Sequence, residues 1–301
     1  VQEFINKKMN EIYEDFNRNL KEEKQYCVLK KFRFDGNNIP DYKNEILQQY
    51  YLLKYLPAYF AEYYYIYLKV IDSNFLVNNF NILSIGCGSG IDLWSIHYAI
   101  KNLKCDKKIR YTGLDIIEWE YWDDCSEESY FIEQDVNDLI RLDENKYNII
   151  VFPKSIGEFS LNSFNSLKEA INNTDFTSER IILIVSMRIK RVYSDLERVK
   201  NIVSIFEDLG YIVKERKWTK FKKKEIKKDI TFNYKIKDII PDLEYPKHIE
   251  KSMSEFYKKC EGYTNNGDEC CTESCEEIFK RKPITTMSQV AYTIVKLERR
   301  E

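Results

Sequence analysis

The chain has 301 residues, a formal net charge of −2 and 44% apolar residues. Its 23 tyrosines and 17 phenylalanines exclude a disordered chain, and nine glycines and six prolines exclude collagen-like or proline-rich architecture. A chain of this length suits a core of about 200 residues with one or two additions, and its near-neutral total charge gives no global pull toward nucleic acid or membrane.

Residues 1–10 are polar and charged and lack the apolar run of a secretory signal. Helical periodicity follows at once: Phe4, Ile5, Met9, Ile12, Tyr13, Phe16 and Leu20 recur at three- and four-residue steps, one apolar stripe on one helix. After a turn at Asp35-Gly36-Asn37-Asn38, Pro40-Asp41 reads as the start of a second helix, and Pro57 as the start of a third through Tyr67. The most apolar stretch, 50–71, carries Lys54, Glu62 and Lys69 and fails as a bilayer span. The expectation is a soluble, cytoplasmic protein with no membrane partner. Its eight cysteines then stand as thiols or metal ligands rather than disulfides.

From residue 81 the period changes. Strands are predicted at 81–85, 109–114, 130–133, 147–152, 180–186, 211–218 and 289–297, with helices at 92–99, 163–170 and 193–209 between them. This alternation predicts an α/β fold with a doubly wound, mainly parallel seven-stranded sheet, an N-terminal helical extension and an insertion before the last strand. The expected organisation is a helical cap over 1–80, a Rossmann-like core over 81–218, a basic, cysteine-containing insertion over 219–286, and a final core strand within 287–301.

The sharpest motif is Gly86-Cys87-Gly88-Ser89-Gly90, which ends the first predicted strand and enters a helix. Glycine at alternate positions lets the backbone approach a ligand with no Cβ in the way. A dinucleotide fingerprint needs a further glycine where Ile91 stands, so the turn fits a nucleotide without matching the NAD pattern. Asp115 ends the next strand and can accept both hydroxyls of a ribose. Asp135-Val136 follows the third, where an acceptor beside a backbone N–H can read an adenine edge. All three fall at carboxyl ends of strands, where open α/β sheets bind ligands.

These elements, with the strand that runs into Pro153, resemble the class I S-adenosylmethionine-dependent methyltransferases over residues 81–218 and the last strand. The resemblance implies S-adenosylmethionine as cofactor, with Gly86, Cys87, Gly88 and Gly90 at its methionine part. It puts Asp115 and Ile116 at the ribose, Asp135 and Val136 at the adenine, and Phe152 at the end of the fourth strand. One departure stands out: the family often has an acid two residues before the first glycine, and this chain has Ser84. Lys54 or Lys69 can reach the cofactor carboxylate or stand as solvated lysines. An NAD-dependent oxidoreductase and a non-catalytic binding or scaffold protein are the alternatives.

Methyl transfer from a sulfonium is an in-line displacement, so the enzyme aligns the nucleophile and, where a proton must leave, accepts it. Phe152-Pro153-Lys154-Ser155-Ile156-Gly157-Glu158 matches neither the signature of enzymes acting on exocyclic base amines nor the Pro-Cys of carbon-5 pyrimidine enzymes. Lys154, Ser155 and Glu158 are the candidate catalytic groups. The segment Lys214–Lys237 holds eleven Lys/Arg against three acids, with aromatics interleaved, whereas 115–144 holds twelve acids and one Arg. RNA bound through that basic segment is the favoured acceptor, with a protein or a small molecule as the other reading. Cys260, Cys270, Cys271 and Cys275 lie within sixteen polar residues and satisfy tetrahedral zinc in number, though without paired C-x-x-C spacing. Surface thiols, a disulfide and an iron–sulfur cluster remain open for them.

Overall fold

The computed structural model describes residues 1–23, 29, 41–76, 79–122, 128–142, 147–220, 235–241, 243–255 and 290–300. The chain divides into two compact units, Val1–Tyr59 with Lys235–Thr286, and Phe60–Tyr234 with Met287–Glu301. The first unit joins N-terminal residues to part of the segment before the last strand.

In the first unit, α1 (Gln2–Glu23) buries Ile5, Met9, Ile12, Phe16 and Leu20, the stripe its spacing predicted. Phe16 packs its ring near Tyr50 of α2 (Glu45–Asp72), 6.2 Å between centroids. Asn44 caps α2, its side-chain oxygen accepting from the Leu47 N–H at 3.2 Å. Pro57 does not begin a separate helix, because α2 runs through it. A proline there has no N–H for the carbonyl of residue 53, one turn back. The Tyr245 hydroxyl donates to that Leu53 carbonyl at 2.7 Å, restoring the missing bond from a distant part of the chain. Tyr245→Phe is therefore expected to cost about 1–3 kcal/mol in denaturant unfolding, since it strands a buried carbonyl. A variant as stable as the wild type would show that the helix tolerates Pro57 unaided. Lys54 is a correction too: it is buried, its ammonium over the Tyr50 and Tyr55 rings at 5.9 and 5.3 Å, and is no solvated lysine. Short helices α6 (Ile236–Ile239) and α7 (Lys247–Glu255) complete the unit's described elements.

The second unit is built on the seven-stranded sheet, in the order β3-β2-β1-β4-β5-β7-β6. Its strands are β1 (Phe80–Ile85), β2 (Ile109–Asp115), β3 (Ser129–Glu133), β4 (Ile149–Pro153), β5 (Arg180–Arg188), β6 (Tyr211–Lys220) and β7 (Val290–Arg299). The first five run parallel, and β7 lies antiparallel between β5 and β6. β5 is buried at seven consecutive positions, as a strand covered on both faces must be. Leu83, Ile85, Ile150, Phe152, Leu183 and Val185 form one core with residues of α4 (Leu161–Asn172) and α5 (Val192–Asp208). On the other face α3 (Ile91–Leu103) meets α2, where the Ser95 hydroxyl donates to the Phe60 carbonyl at 3.1 Å.

The chain builds outward from β1 through β2 to β3, then returns to β4 on the other side of β1. Strand order therefore reverses between β1 and β4. A crevice opens at such a point beyond the carboxyl ends of the strands, because successive loops leave in opposite directions.

Candidate functional site

The β1–α3 connection sits at this reversal. Gly86, Gly88 and Gly90 have φ of 70, 56 and 76°, left-handed backbone that side chains rarely adopt. Space excludes a side chain at Gly86 as well: a Cβ there would stand 2.4 Å from the Ser155 Cβ. Ser155 is fixed against the turn because its buried hydroxyl donates to the Ile85 carbonyl at 2.5 Å. Trp119 lies 3.7 Å from where a Gly88 Cβ would be, and Trp122 lies 3.0 Å from the same point at Gly90. These indoles wall the turn. The sequence reading missed both, although two tryptophans just beyond the candidate ribose acid were a usable signal.

Asp115 is the turn's immediate neighbour. One carboxylate oxygen accepts from the Gly88 N–H at 2.7 Å and the other from the Ile116 N–H at 2.8 Å. The Ile117 N–H bonds the same carboxylate, which leaves lone-pair capacity for a ligand on one oxygen. Burial pushes this carboxyl's pKa up, while the backbone bonds pull it down. Ile116 presents a large apolar side chain, 55% exposed, beside it. Asp135 caps a single 3-10 turn, Val136–Asp138, accepting from the Asn137 N–H at 2.9 Å, and Val136 is buried. The Phe152 ring is buried in the core on the α4/α5 side, and its carbonyl accepts from the Lys154 N–H at 3.0 Å. Cys87 is a buried thiol. Burial, then Asp115 and Asp92, raise its pKa well above the usual value, so it stays protonated and is no nucleophile.

Ser84, the departure seen in the sequence, has a partner. Its hydroxyl donates at 2.8 Å to Asp92 Oδ2, which also accepts from the Tyr111 hydroxyl at 2.8 Å. The first turn of α3 thus brings a carboxylate against the strand position that lacks one. Asp92 is buried, and burial raises its pKa to about 6 against the help of those hydroxyls. Among the described residues its Oδ1 has no hydrogen-bond partner. Tyr67 lies close enough for Asp92 to push its pKa further up after burial.

Lys154, Ser155 and Glu158 do not converge on one point. Ser155 serves the turn, and Glu158 pairs with Arg188 at the end of β5. Lys154 has φ 65°, a costly conformation for a residue with a Cβ, and this turns it under α2. There its ammonium bonds Glu62 Oε2 at 2.5 Å and lies 4.8 Å from the centre of the Tyr63 ring. Both partners are buried. Burial lowers the Lys154 pKa to about 8 and raises that of Glu62 to about 7, in each case against the pull of the other charge. Among the described residues Glu62 Oε1 has no hydrogen-bond partner. No local pattern marks Glu62, which is separated from Lys154 by 92 positions.

Cys260, Cys270, Cys271 and Cys275 lie outside the described residues, and among the described residues no group of three metal-ligating side chains occurs. Most of Lys214–Lys237 also lies outside them. Of its described lysines, Lys214 pairs with Glu298 and Lys217 with Glu215, both at 2.8 Å. Among the described residues no helix is long and apolar enough to cross a membrane.

No protein-family model matches the chain, and no curated protein matches it. Among solved structures it is similar to the plantazolicin methyltransferase BpumL in complex with a pentazolic desmethylPZN analog and SAH, at 16% identity over 100% of both chains and a TM-score of 0.43. It is also similar to the Burkholderia thailandensis 1,6-didemethyltoxoflavin-N1-methyltransferase, at 8% identity over 81% of this chain and 79% of that one, with a TM-score of 0.38. YjhP from E. coli is similar at 16% identity over 79% of this chain and 92% of that one, with a TM-score of 0.38. The reversal between β1 and β4, the antiparallel β7 inserted beside β5, and the glycine turn at the reversal give this chain the Rossmann-like fold of the class I S-adenosylmethionine-dependent methyltransferases.

Proposed function

We propose that the protein is an S-adenosylmethionine-dependent methyltransferase whose acceptor is a small molecule or a peptide. The observation that carries this reading is the Gly88 N–H to Asp115 hydrogen bond, which joins a turn with glycine at alternate positions to a carboxylate at the end of the next strand, where strand order reverses. The remaining lone-pair capacity of Asp115 takes a ribose hydroxyl. Ile116, Asp135 and Val136 border the base, and the glycine turn borders the methionine arm. The donor supplies a methyl group on an already activated leaving group. The protein's own task is to bind, align and exclude water.

Whether these residues fit the donor turns on its α-ammonium, which needs an acceptor near the turn. Asp92 Oδ1 answers that need, being a buried carboxylate oxygen with no partner. Burial of Glu62 and Lys154 on the β4 side suits an acceptor that enters as a small molecule or a narrow chain end. The RNA reading draws no support from the described residues, which leave out most of that basic segment. The test is calorimetry with S-adenosylhomocysteine and with NADH. Binding of the first alone is expected, and binding of NADH alone would reject the proposal. Asp92→Asn should weaken S-adenosylhomocysteine about tenfold, roughly one charge-assisted hydrogen bond. It should leave methylthioadenosine, which lacks the amino-acid arm, unchanged. Equal loss for both ligands would deny Asp92 the ammonium.

A further inference from the structure

Two buried carboxylates at the carboxyl end of the sheet each keep one oxygen without a partner, and they lie on different sides of the glycine turn. Asp92 is bonded to β1 through Ser84 and to β2 through Tyr111, on the side of Asp115. Glu62 is bonded to Lys154, which follows β4 and whose N–H donates to the Ser186 carbonyl of β5 at 3.1 Å. A nucleoside held at Asp115 with its amino-acid arm on the turn after β1 would direct its reactive end toward β4 and β5. Glu62 therefore stands on the acceptor's side. Ser186, beside Lys154 on β5, is buried with a hydroxyl that also lacks a partner.

Lys154 meets Glu62 at Oε2, which leaves Oε1, among the described residues, a buried carboxylate oxygen with no donor. The groups that bond such an oxygen most strongly bring both an N–H and a positive charge.

We infer that the methyl acceptor is an amine, bound as its ammonium against Glu62 Oε1, with Lys154 holding the carboxylate in place. This rests on the methyltransferase reading and names its substrate class. The acceptor's N–H proton passes to Glu62 Oε1, which frees the nitrogen lone pair. That pair forms the C–N bond as the donor's C–S bond breaks, and the electrons of the broken bond stay on sulfur. The products are a methylated ammonium, a neutral thioether and a protonated Glu62, which releases its proton to solvent. A carboxyl titrating near neutrality suits both halves of that cycle.

The test is a thermal-shift screen of protein saturated with S-adenosylhomocysteine, using matched panels of small primary amines and the corresponding alcohols and phenols. Amines should raise the melting temperature, their neutral counterparts should not, and Glu62→Gln should abolish the shift while S-adenosylhomocysteine affinity stays within twofold. Should Lys154, left alone, prevent Glu62→Gln from folding, the double variant Glu62→Gln/Lys154→Met removes both charges and carries the same expectation. Equal shifts from alcohols or phenols, no amine-specific shift, or one that survives Glu62→Gln would overturn the inference and leave the methyltransferase reading intact. Loss of S-adenosylhomocysteine binding in Glu62→Gln would overturn it too, by assigning that carboxylate to the donor. Failure of the wild type to bind S-adenosylhomocysteine would instead remove the reading beneath it.

Discussion

Replacing Asp115 with alanine is expected to lower affinity for S-adenosylhomocysteine about a hundredfold, or roughly 2.7 kcal/mol. The carboxylate already accepts from the Gly88, Ile116 and Ile117 N–H groups, and its remaining lone-pair capacity would give a ribose hydroxyl a charge-assisted hydrogen bond. Alanine removes that bond, and it also leaves the Gly88 N–H without its acceptor, loosening the glycine turn. Asp115→Asn keeps one acceptor and should fall between the two. Calorimetry reads the effect directly, and unfolding of the ligand-free protein provides the control, since Asp115 is only part-buried and its loss should cost far less in stability than in binding. Full affinity in the alanine variant would take the sugar away from Asp115.

The second large effect concerns stability. Lys154→Met should destabilise the protein by about 3–5 kcal/mol above neutral pH, because it leaves a buried carboxylate with no counter-charge. Below about pH 5.5 most of that cost should vanish. The sign follows from the carboxyl itself: Glu62 titrates at about 7 in the folded chain against an ordinary 4.5. A raised carboxyl pKa favours the folded state at low pH and loses that advantage as pH rises through the folded value. Without Lys154 the one influence that lowers this pKa disappears, so the variant's stability should decline by up to about 1.4 kcal/mol per pH unit above 7. Glu62→Gln/Lys154→Met should be flat over the same range. Denaturant unfolding at pH 5.5, 7 and 8.5 measures all three proteins, and a pH-independent loss in Lys154→Met would mean that water reaches the pair.

The strands were legible because each carries its own signal. Runs such as Ile149–Val151 and Ile181–Val185 are continuously apolar, as buried parallel strands require, and the helix stripe of α1 repeats at its own period. Gly86, Gly88 and Gly90 were legible for the same reason: a turn in left-handed backbone admits few residues, so composition reports conformation. Pro57 misled because its local preference for a helix start was overridden by Tyr245, whose hydroxyl supplies the bond the proline removes. Ser84 looked like a missing acid until α3 laid Asp92 against it.

Seen as a string of residues, this protein declares an alternating α/β architecture, a glycine turn and the acid beside it, since those depend on side-chain period and backbone freedom within a few residues. Folding alone decided which charges meet: Glu62 reaches Lys154 only because the second half of α2 lies over the end of β4, and Asp92 meets Ser84 only because α3 packs back on β1. Pairing of that kind is set by which faces come together across the sheet, and a buried charge takes its pKa and its chemistry from those neighbours rather than from its place in the chain.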